Sequence, residues 1–185
     1  MDLILGVSDQ PVDLLADGVD CVLRIGELAL NSMIARKLAS ITMVVCGSPG
    51  YLAKHGTPEA IEDLRQHRAV NYMSRRGHRP VAWSLPGNAD SLQITLVSSI
   101  IVNDTETFVA CALNGLGLIQ VPGLVVARYL ADGNLIQVLP AMRAILRPVS
   151  IMYPNRQHLA PQVRAFIDWA STVIAASAGE WLQPV

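Results

Sequence analysis

Short apolar stretches alternate with helix signals along most of this 185-residue chain, and that alternation constrains the fold more than any other feature. The apolar stretches are typical of buried strands, and the intervening helix patterns stop at Gly18, Gly115 and Gly133. Apolar strands that alternate with helices predict an α/β fold with a parallel sheet covered by helices on both faces. Ligands of such sheets bind beyond the carboxyl ends of the strands.

Local signals place several of the individual elements. We expect strands at residues 3–7 and 20–26 with a helix at 12–18 between them, and a further helix at 57–67. The last helix is predicted by apolar residues at helical spacing, namely Val163, Phe166, Ile167, Ala170, Val173 and Ile174. The tail at residues 179–185 is expected to fray.

Composition and charge exclude several classes of protein. Apolar residues make up 51% of the chain and the net charge is -1, so the basic surface that holds nucleic acid is missing. Cys21, Cys46 and Cys111 are widely spaced in apolar runs and are predicted to be buried free thiols, as in a reducing cytoplasm. Neither a secretory signal nor a membrane span is predicted, so we expect a soluble, cytoplasmic protein.

Motifs of catalysis and metal binding are missing from the sequence. It contains no G-x-S-x-G motif, and the stretch "GLGLIQ" lacks the third glycine of a dinucleotide fingerprint and follows a helix. The four histidines do not have metal-ligand spacing. We therefore expect no enzyme, no metal site and no cofactor.

Polar residues are concentrated where one apolar strand gives way to a helix, at Asn103, Asp104, Thr105 and Glu106. Backbone N–H groups and the positive end of a helix favour a carboxylate or phosphate at such a position, although Asp104 would repel an anion. Two interpretations stay open: the cluster caps the helix, or it also binds a ligand through Thr105. Other strand ends predicted to share this edge contain Arg24, Gly26, Ser48, Pro49, Pro122 and Gly123.

Four segments, taken in order, resemble the effector-binding domain of LysR-type transcriptional regulators. They are "VDLLADGVDCVLRIGEL", "IARKLASITMVVCGSPGYLAKHGTPEAIEDLRQHRAV", "VNDTETFVACALNGLGLIQVPGLVVARYLADGNLIQVLP" and "YPNRQHLAPQVRAFIDW". The resemblance implies two Rossmann-like subdomains of the periplasmic-binding-protein (type 2) kind, joined by two crossover strands. Subdomain I would take residues 1–45 plus 148–185 and subdomain II residues 46–147, with an inducer cleft between them.

The same resemblance implies a function without chemistry. A small organic acid or related metabolite would bind and act through its different affinity for two arrangements of a dimer or tetramer. The implied effector-binding residues are Arg24, Gly26, Ser48, Pro49, Asn103, Asp104, Thr105, Pro122 and Gly123. A solute-binding protein of a transport system and a ligand-blind fragment that only dimerises are the alternatives.

Compared with that family, the chain starts at what would be the second strand of the effector domain. DNA would be bound only through a winged helix-turn-helix that is absent from this chain. Subdomain I would lack its first strand-helix unit and would pair with another copy, because open strand edges accept partners.

Overall fold

The computed structural model describes residues 3–7, 13–14, 16–26, 33–73, 79–86, 91–140, 145–154 and 159–185. Its strands are β1 (Val22–Ile25), β2 (Met33–Gly47), β3 (Ala69–Tyr72), β4 (Trp83–Pro86), β5 (Ser91–Ile94), β6 (Ser98–Val102), β7 (Ile119–Pro122), β8 (Ile136–Val138), β9 (Ile145–Pro154) and β10 (Leu182–Pro184). Its helices are α1 (Pro49–His55), α2 (Thr105–Leu113), α3 (Gly123–Ala131) and α4 (Pro161–Ala176). A 3-10 helix covers Glu62–Gln66.

The chain forms two compact units. The first consists of Met1–Thr42 and Leu146–Val185, and the second of Met43–Ile145. The chain leaves the first unit within β2 and re-enters it near the start of β9.

The first unit is built on strands in the order β1-β9-β2-β10. β1 runs antiparallel to β9, and β10 runs antiparallel to β2. One stripe of α4 buries Val163, Ile167 and Ala170 in a cluster with Leu38 of β2 and Ile151 of β9. The helical periodicity of residues 161–176 therefore predicts this helix and most of its core face, although Val173 of the predicted stripe is exposed by 42%.

In the second unit, β2 lies between two strands that both run antiparallel to it. Val45 of β2 pairs with Gln120 of β7 on one edge and with Val138 of β8 on the other, both antiparallel. β7 and β8 consequently run in the same direction on either side of β2, with α3 as the crossover between them. On the far side of β7, a parallel bridge from Ala69 to Leu118 reaches β3, and β3 pairs in parallel with β6.

The expectation of a parallel sheet is wrong for most of the strand pairs that the structure describes. Among them, β3 and β6 are parallel, whereas β2 is antiparallel to β7, β8 and β10, and β4 to β5. Apolar residues on both faces of a strand indicate that the strand is buried, but they do not indicate whether the adjacent strands are parallel or antiparallel to it. A strand-helix-strand pattern sets β7 parallel to β8 but does not exclude β2 from between them.

Three local predictions also fail. Residues 3–7 lie in no strand and are exposed, so the apolar run alone does not make a strand there. Within 57–67 only the 3-10 helix Glu62–Gln66 forms, and the Asp63 carboxylate accepts N–H groups from Glu59 and Ala60 ahead of it. The tail does not fray, because Leu182 is buried opposite Ile41.

The predicted helix at 12–18 lies partly outside the described residues, and those that are described form a turn. Gly18, at φ +65°, has the left-handed conformation expected of the residue that ends it.

Candidate functional site

The carboxyl ends of β6 and β7 lie at one edge of the second unit. β3 lies between them, with Tyr72 level with Val102 of β6 and Ala69 level with Leu118 of β7. Because these strands run parallel, the carboxyl ends of β6 and β7 point toward the same edge of the sheet. The starts of α2 and α3, which follow these two strands, therefore lie at that edge.

The start of α2 is capped by Asp104. Its extended backbone precedes the first turn, and its carboxylate accepts the N–H of Thr107 at 2.7 Å. Hydrogen bonding from Thr107 holds the pKa of Asp104 below its usual range, so the carboxylate keeps its charge into mildly acidic solution. The capping interpretation of this cluster is therefore confirmed for Asp104.

The turn between β6 and α2 is fixed from β3. The Tyr72 hydroxyl donates a hydrogen bond to the backbone oxygen of Asn103 at 3.0 Å, and the Tyr72 ring meets the buried Phe108 ring edge-on at 5.5 Å. Asn103 itself is exposed, and Thr105, the first residue of α2, is half-buried. A ligand at this edge would meet Thr105 and Asn103 on a backbone that is already ordered.

The start of α3 differs from that of α2 because no side chain caps it. Its N-cap position is Pro122, which has no side-chain acceptor to offer, and Gly123 behind it is buried. The first N–H groups of a helix have no partner within the helix and carry its positive dipole end. This helix start can therefore receive an oxygen acceptor from outside, whereas Asp104 supplies the acceptor at α2.

A half-buried glutamine anchors β7 directly before this edge. The Gln120 side-chain oxygen accepts the N–H of Ser84 at 2.9 Å, and its amide nitrogen donates to the Ser84 carbonyl at 2.6 Å. The side chain thus pairs with β4 in the way a neighbouring backbone would. Gln93 of β5 adds a hydrogen bond to the Ser84 hydroxyl at 2.7 Å.

A buried asparagine holds β3. The amide nitrogen of Asn71 donates to the Ser98 hydroxyl at 2.6 Å and to the Leu96 carbonyl at 3.2 Å, while its oxygen accepts the indole N–H of Trp83 at 3.0 Å. Both networks escaped sequence reasoning, because Gln120 and Asn71 stand in apolar runs and their partners are remote along the chain. The only available signal was a polar residue at a strand position otherwise occupied by apolar ones.

The structure does not bring Ser48 and Pro49 to this edge. Pro122 lies opposite Met43 at one end of the β2–β7 ladder, and Ser48 follows the other end of β2. At about 3.3 Å per strand residue, Ser48 is roughly 17 Å along β2 from the level of Pro122. The buried Ser48 hydroxyl accepts the N–H of Tyr51 at 3.3 Å and caps α1.

The remaining predicted residues, Arg24 and Gly26, lie in the first unit. Arg24 pairs with Ser150 in the β1–β9 ladder and is half-buried. Gly26 follows β1 with φ +101°, a conformation that favours glycine, and its N–H donates to the Pro148 carbonyl at 2.9 Å.

Near Ser48, a histidine is buried against a tyrosine. The Tyr51 hydroxyl lies 3.2 Å from Nδ1 of His67 and accepts the N–H of Arg68 at 3.0 Å, while the His55 ring stacks on Tyr51 at 4.6 Å. Burial, followed by the nearby His55, lowers the pKa of His67. Neutral His67 therefore belongs to the folded state around neutral pH.

The described ranges contain no group of three or more histidine, cysteine or acidic side chains placed to hold a metal ion. In the same ranges, no helix has the length and hydropathy needed to cross a bilayer. The three thiols are free, with Cys46 and Cys111 buried as predicted and Cys21 half-buried.

Known sequences are similar to this chain over nearly its whole length. The family model of the LysR substrate binding domain matches residues 1–175. The HTH-type transcriptional regulator YhjC of Escherichia coli K12 is 37% identical over 174 residues, which are 94% of this chain and 58% of that protein. An HTH-type transcriptional repressor of Pseudomonas aeruginosa is 31% identical over 185 residues, which are 100% of this chain and 58% of the repressor. The chain thus spans 58% of the length of these curated relatives.

Solved structures agree with the sequences. The effector domain of the regulator AmpR of Pseudomonas aeruginosa is similar with a TM-score of 0.75 and 25% identity, over 96% of this chain and 83% of that chain. The regulatory domain of CrgA, a LysR-type regulator of Neisseria meningitidis, is similar with a TM-score of 0.73 and 26% identity, over 88% of this chain and 78% of that chain.

These relatives are transcriptional regulators and not enzymes, which confirms the expectation that this chain is not an enzyme. The mixed α/β fold matches LysR regulatory domains, which are periplasmic-binding-protein-like, and the predicted fold class is confirmed. The chain belongs to the LysR substrate-binding domain family of transcriptional regulators.

Proposed function

We propose that this chain binds a small organic acid or related metabolite as the effector of a LysR-type transcriptional regulator. The observation that carries the proposal is the pair of helix starts at the ends of β6 and β7. One is closed by Asp104, and the other, after Pro122, has no side-chain cap.

The residues at the two helix starts would contact different parts of the ligand. A carboxylate at the start of α3 would accept the N–H groups that follow Pro122, and the half-buried Thr105 hydroxyl and the Asn103 amide would contact the same ligand. Asp104 would repel a second negative charge, which favours a ligand with one acidic end and a neutral or hydrogen-bonding remainder.

Other parts of the proposal rest on the family. Subdomains of residues 1–45 plus 148–185 and 46–147 would each contribute, with Arg24 and Gly26 as predicted contacts from the first. The domain would form a dimer or tetramer in the cytoplasm, and DNA would be bound by a winged helix-turn-helix outside this chain. The effector would act by binding one arrangement of the oligomer more tightly than another.

Thermal unfolding against a panel of small carboxylates, including aromatic acids, amino acids and sugar acids, tests the proposal. A ligand at about 100 times its dissociation constant stabilises the folded chain by about 2.7 kcal/mol. For a chain of this size that corresponds to roughly 5–10 °C in the unfolding midpoint.

Two threonine substitutions separate a specific site from general stabilisation. We expect Thr105→Ala to remove the shift and Thr57→Ala, an exposed threonine of the same unit, to keep it. An acid whose shift is equal in both variants binds elsewhere and contradicts the site. A chain that responds to no acid in the panel contradicts the proposed effector class.

A further inference from the structure

The Tyr51 hydroxyl lies within hydrogen-bonding distance of three groups in the second unit. It accepts the N–H of Arg68 at 3.0 Å, and it lies 3.2 Å from Nδ1 of His67 and 3.3 Å from the Arg68 carbonyl oxygen. Tyr51 and His67 are both buried. Because a hydroxyl has a single hydrogen, His67 and the Arg68 carbonyl compete for it as acceptors.

The protonation state of His67 decides this competition. When Nδ1 of the neutral ring has no hydrogen, the Tyr51 hydrogen divides between Nδ1 and the Arg68 carbonyl. A proton that adds to Nδ1 from the solvent makes His67 a donor, and the Arg68 carbonyl is then the sole acceptor of the Tyr51 hydrogen. The two lone pairs of the hydroxyl oxygen receive the N–H groups of His67 and Arg68, so every group is paired in both states.

The titratable groups around His67 set the pH at which this change occurs. Within the described part of the chain, His67 is faced by Tyr51 and His55 of α1 and by Asp63 of the 3-10 helix. Burial and the nearby His55 lower the pKa of His67, whereas the Asp63 carboxylate opposes them, so His67 titrates below pH 6.5. Burial raises the pKa of Tyr51 against the effect of Arg68, so the hydroxyl keeps its hydrogen throughout.

The Arg68 carbonyl joins the two strands that lead to the proposed effector site. It accepts the N–H of Leu118 at 3.0 Å where β3 meets β7. A Cβ atom built on Gly117 would lie 2.7 Å from this oxygen, so the chain leading into β7 is packed closely against it. Further along, β3 fixes the turn before α2 and β7 leads into α3. Because close-packed interiors transmit small displacements, a stronger second donor on this oxygen shifts β7 relative to β3.

We propose that proton binding at His67 commits the Tyr51 hydroxyl to the Arg68 carbonyl and thereby adjusts the two helix starts at the ends of β6 and β7. The regulatory consequence rests on the effector site proposed above: that site binds its acid with different affinity at neutral and at mildly acidic pH, because the two arrangements differ where β3 meets β7. The change in the hydroxyl itself needs no effector.

Nuclear magnetic resonance spectra of the chain without added acid ligand, recorded from about pH 8 to about pH 5, test the proposal. Nitrogen-15 signals of the His67 ring report its tautomer and its midpoint, and the Arg68 carbonyl carbon reports the donors on its oxygen. We expect the neutral ring to carry its hydrogen on Nε2. The Arg68 carbonyl carbon and the amides of Thr105 and Gly123, at the two helix starts, should shift with the same midpoint as His67.

Three variants separate the hydroxyl from the charge of the ring. In Tyr51→Phe, which keeps the buried ring, His67 still titrates, but Arg68 and the amides at the helix starts lose their response. In His67→Gln the whole response is absent. His55→Gln is the matched control: it removes the neighbouring charge that opposes protonation, so the midpoints of His67 and of the Arg68 carbonyl rise together.

Three results would overturn the proposal. A neutral His67 with its hydrogen on Nδ1 would do so, because the Arg68 carbonyl would then be the sole acceptor before any proton binds. An Arg68 response that is equal in Tyr51→Phe, or helix-start amides that ignore the His67 midpoint, would do so as well. A chain that binds an acid from the panel but fails this titration keeps the effector site and loses the pH response. A chain that passes the titration but responds to no acid keeps the pH response and loses the proposed effector class.

Discussion

Replacing Gly117 by alanine tests how the second unit brings β3 and β7 together. Gly117 has φ +155°, and a Cβ atom built on it would lie 2.7 Å from the backbone oxygen of Arg68 and 3.1 Å from the carbonyl carbons of Arg68 and Ala69. Backbone atoms cannot rotate away as a flexible side chain can. The Arg68 oxygen also accepts the N–H of Leu118 at 3.0 Å, within the contact that joins β3 to β7.

The magnitude follows from three contributions. A non-glycine residue in this region of φ costs roughly 1–3 kcal/mol. Displacing the Arg68 carbonyl weakens the two hydrogen bonds that it accepts, from the Leu118 N–H and the Tyr51 hydroxyl, each worth about 1 kcal/mol. Crowding a packed interior adds about 1–3 kcal/mol. We expect Gly117→Ala to lower the free energy of unfolding by at least about 4 kcal/mol.

Two other glycines separate these contributions. Gly133 has φ +71° in open space, so Gly133→Ala tests the backbone conformation alone and should cost about 1 kcal/mol. Gly50 lies in α1 with open space around it, and Gly50→Ala should stabilise the chain by about 0.5–1 kcal/mol. Urea unfolding followed by far-ultraviolet circular dichroism measures all three. A cost at Gly117 equal to that at Gly133 would refute the predicted steric clash.

Further predictions concern single side chains. Asn71→Leu leaves the Trp83 indole N–H and the Ser98 hydroxyl without their partner and should cost about 2–4 kcal/mol in urea unfolding. Asp104→Ala should lower the unfolding midpoint at neutral pH, whereas Asp104→Asn retains a cap. The pKa of Asp104 is lower in the folded chain than its ordinary value of 3.8. The stability that the aspartate adds over alanine is therefore present above pH 3.8 and is lost as the pH falls below it. Because the pKa of His67 is lowered in the folded chain, the unfolded chain is protonated at this residue before the folded chain as the pH falls. Stability should therefore fall as pH drops below 6.5, and His67→Gln should remove that step. Burial raises the pKa of Cys46 to about 12, so a thiol reagent at neutral pH should label it only after unfolding.

Sequence reasoning worked where a signal is local. The periodicity of residues 161–176 and the glycines at 115 and 133 placed α4, α2 and α3, because helix faces and helix ends are determined within a few residues. α1 escaped prediction as a separate helix, since a run of only seven residues does not show a periodic pattern.

Contacts between distant parts of the chain could not be read in this way. Residues 3–7 have the composition of a strand, but pairing depends on an edge that lies elsewhere. Because β2 runs antiparallel to β7, Ser48 after the end of β2 and Pro122 at the end of β7 lie at opposite ends of the ladder that joins the two strands. Likewise, Gln120 pairs with Ser84 across 36 residues, and no local pattern indicates that partner.

Half of the candidate site was therefore predictable and half was not. The residues after β6 and β7 were correctly expected to share an edge, because β6, β3 and β7 do run parallel. The different state of the two helix starts was not expected from sequence. It depends on the Asp104 side chain turning back to Thr107, and on Pro122 having no group that can do the same.

The most direct test of the proposed effector site is an amide nuclear magnetic resonance spectrum of the chain, recorded while the acid with the largest thermal shift is added. The site predicts that the largest changes occur at Asn103 and Thr105, at the start of α2, and at Gly123 and Leu124, at the start of α3. Changes concentrated near Ser48, or spread evenly over the chain, would contradict effector binding at this edge.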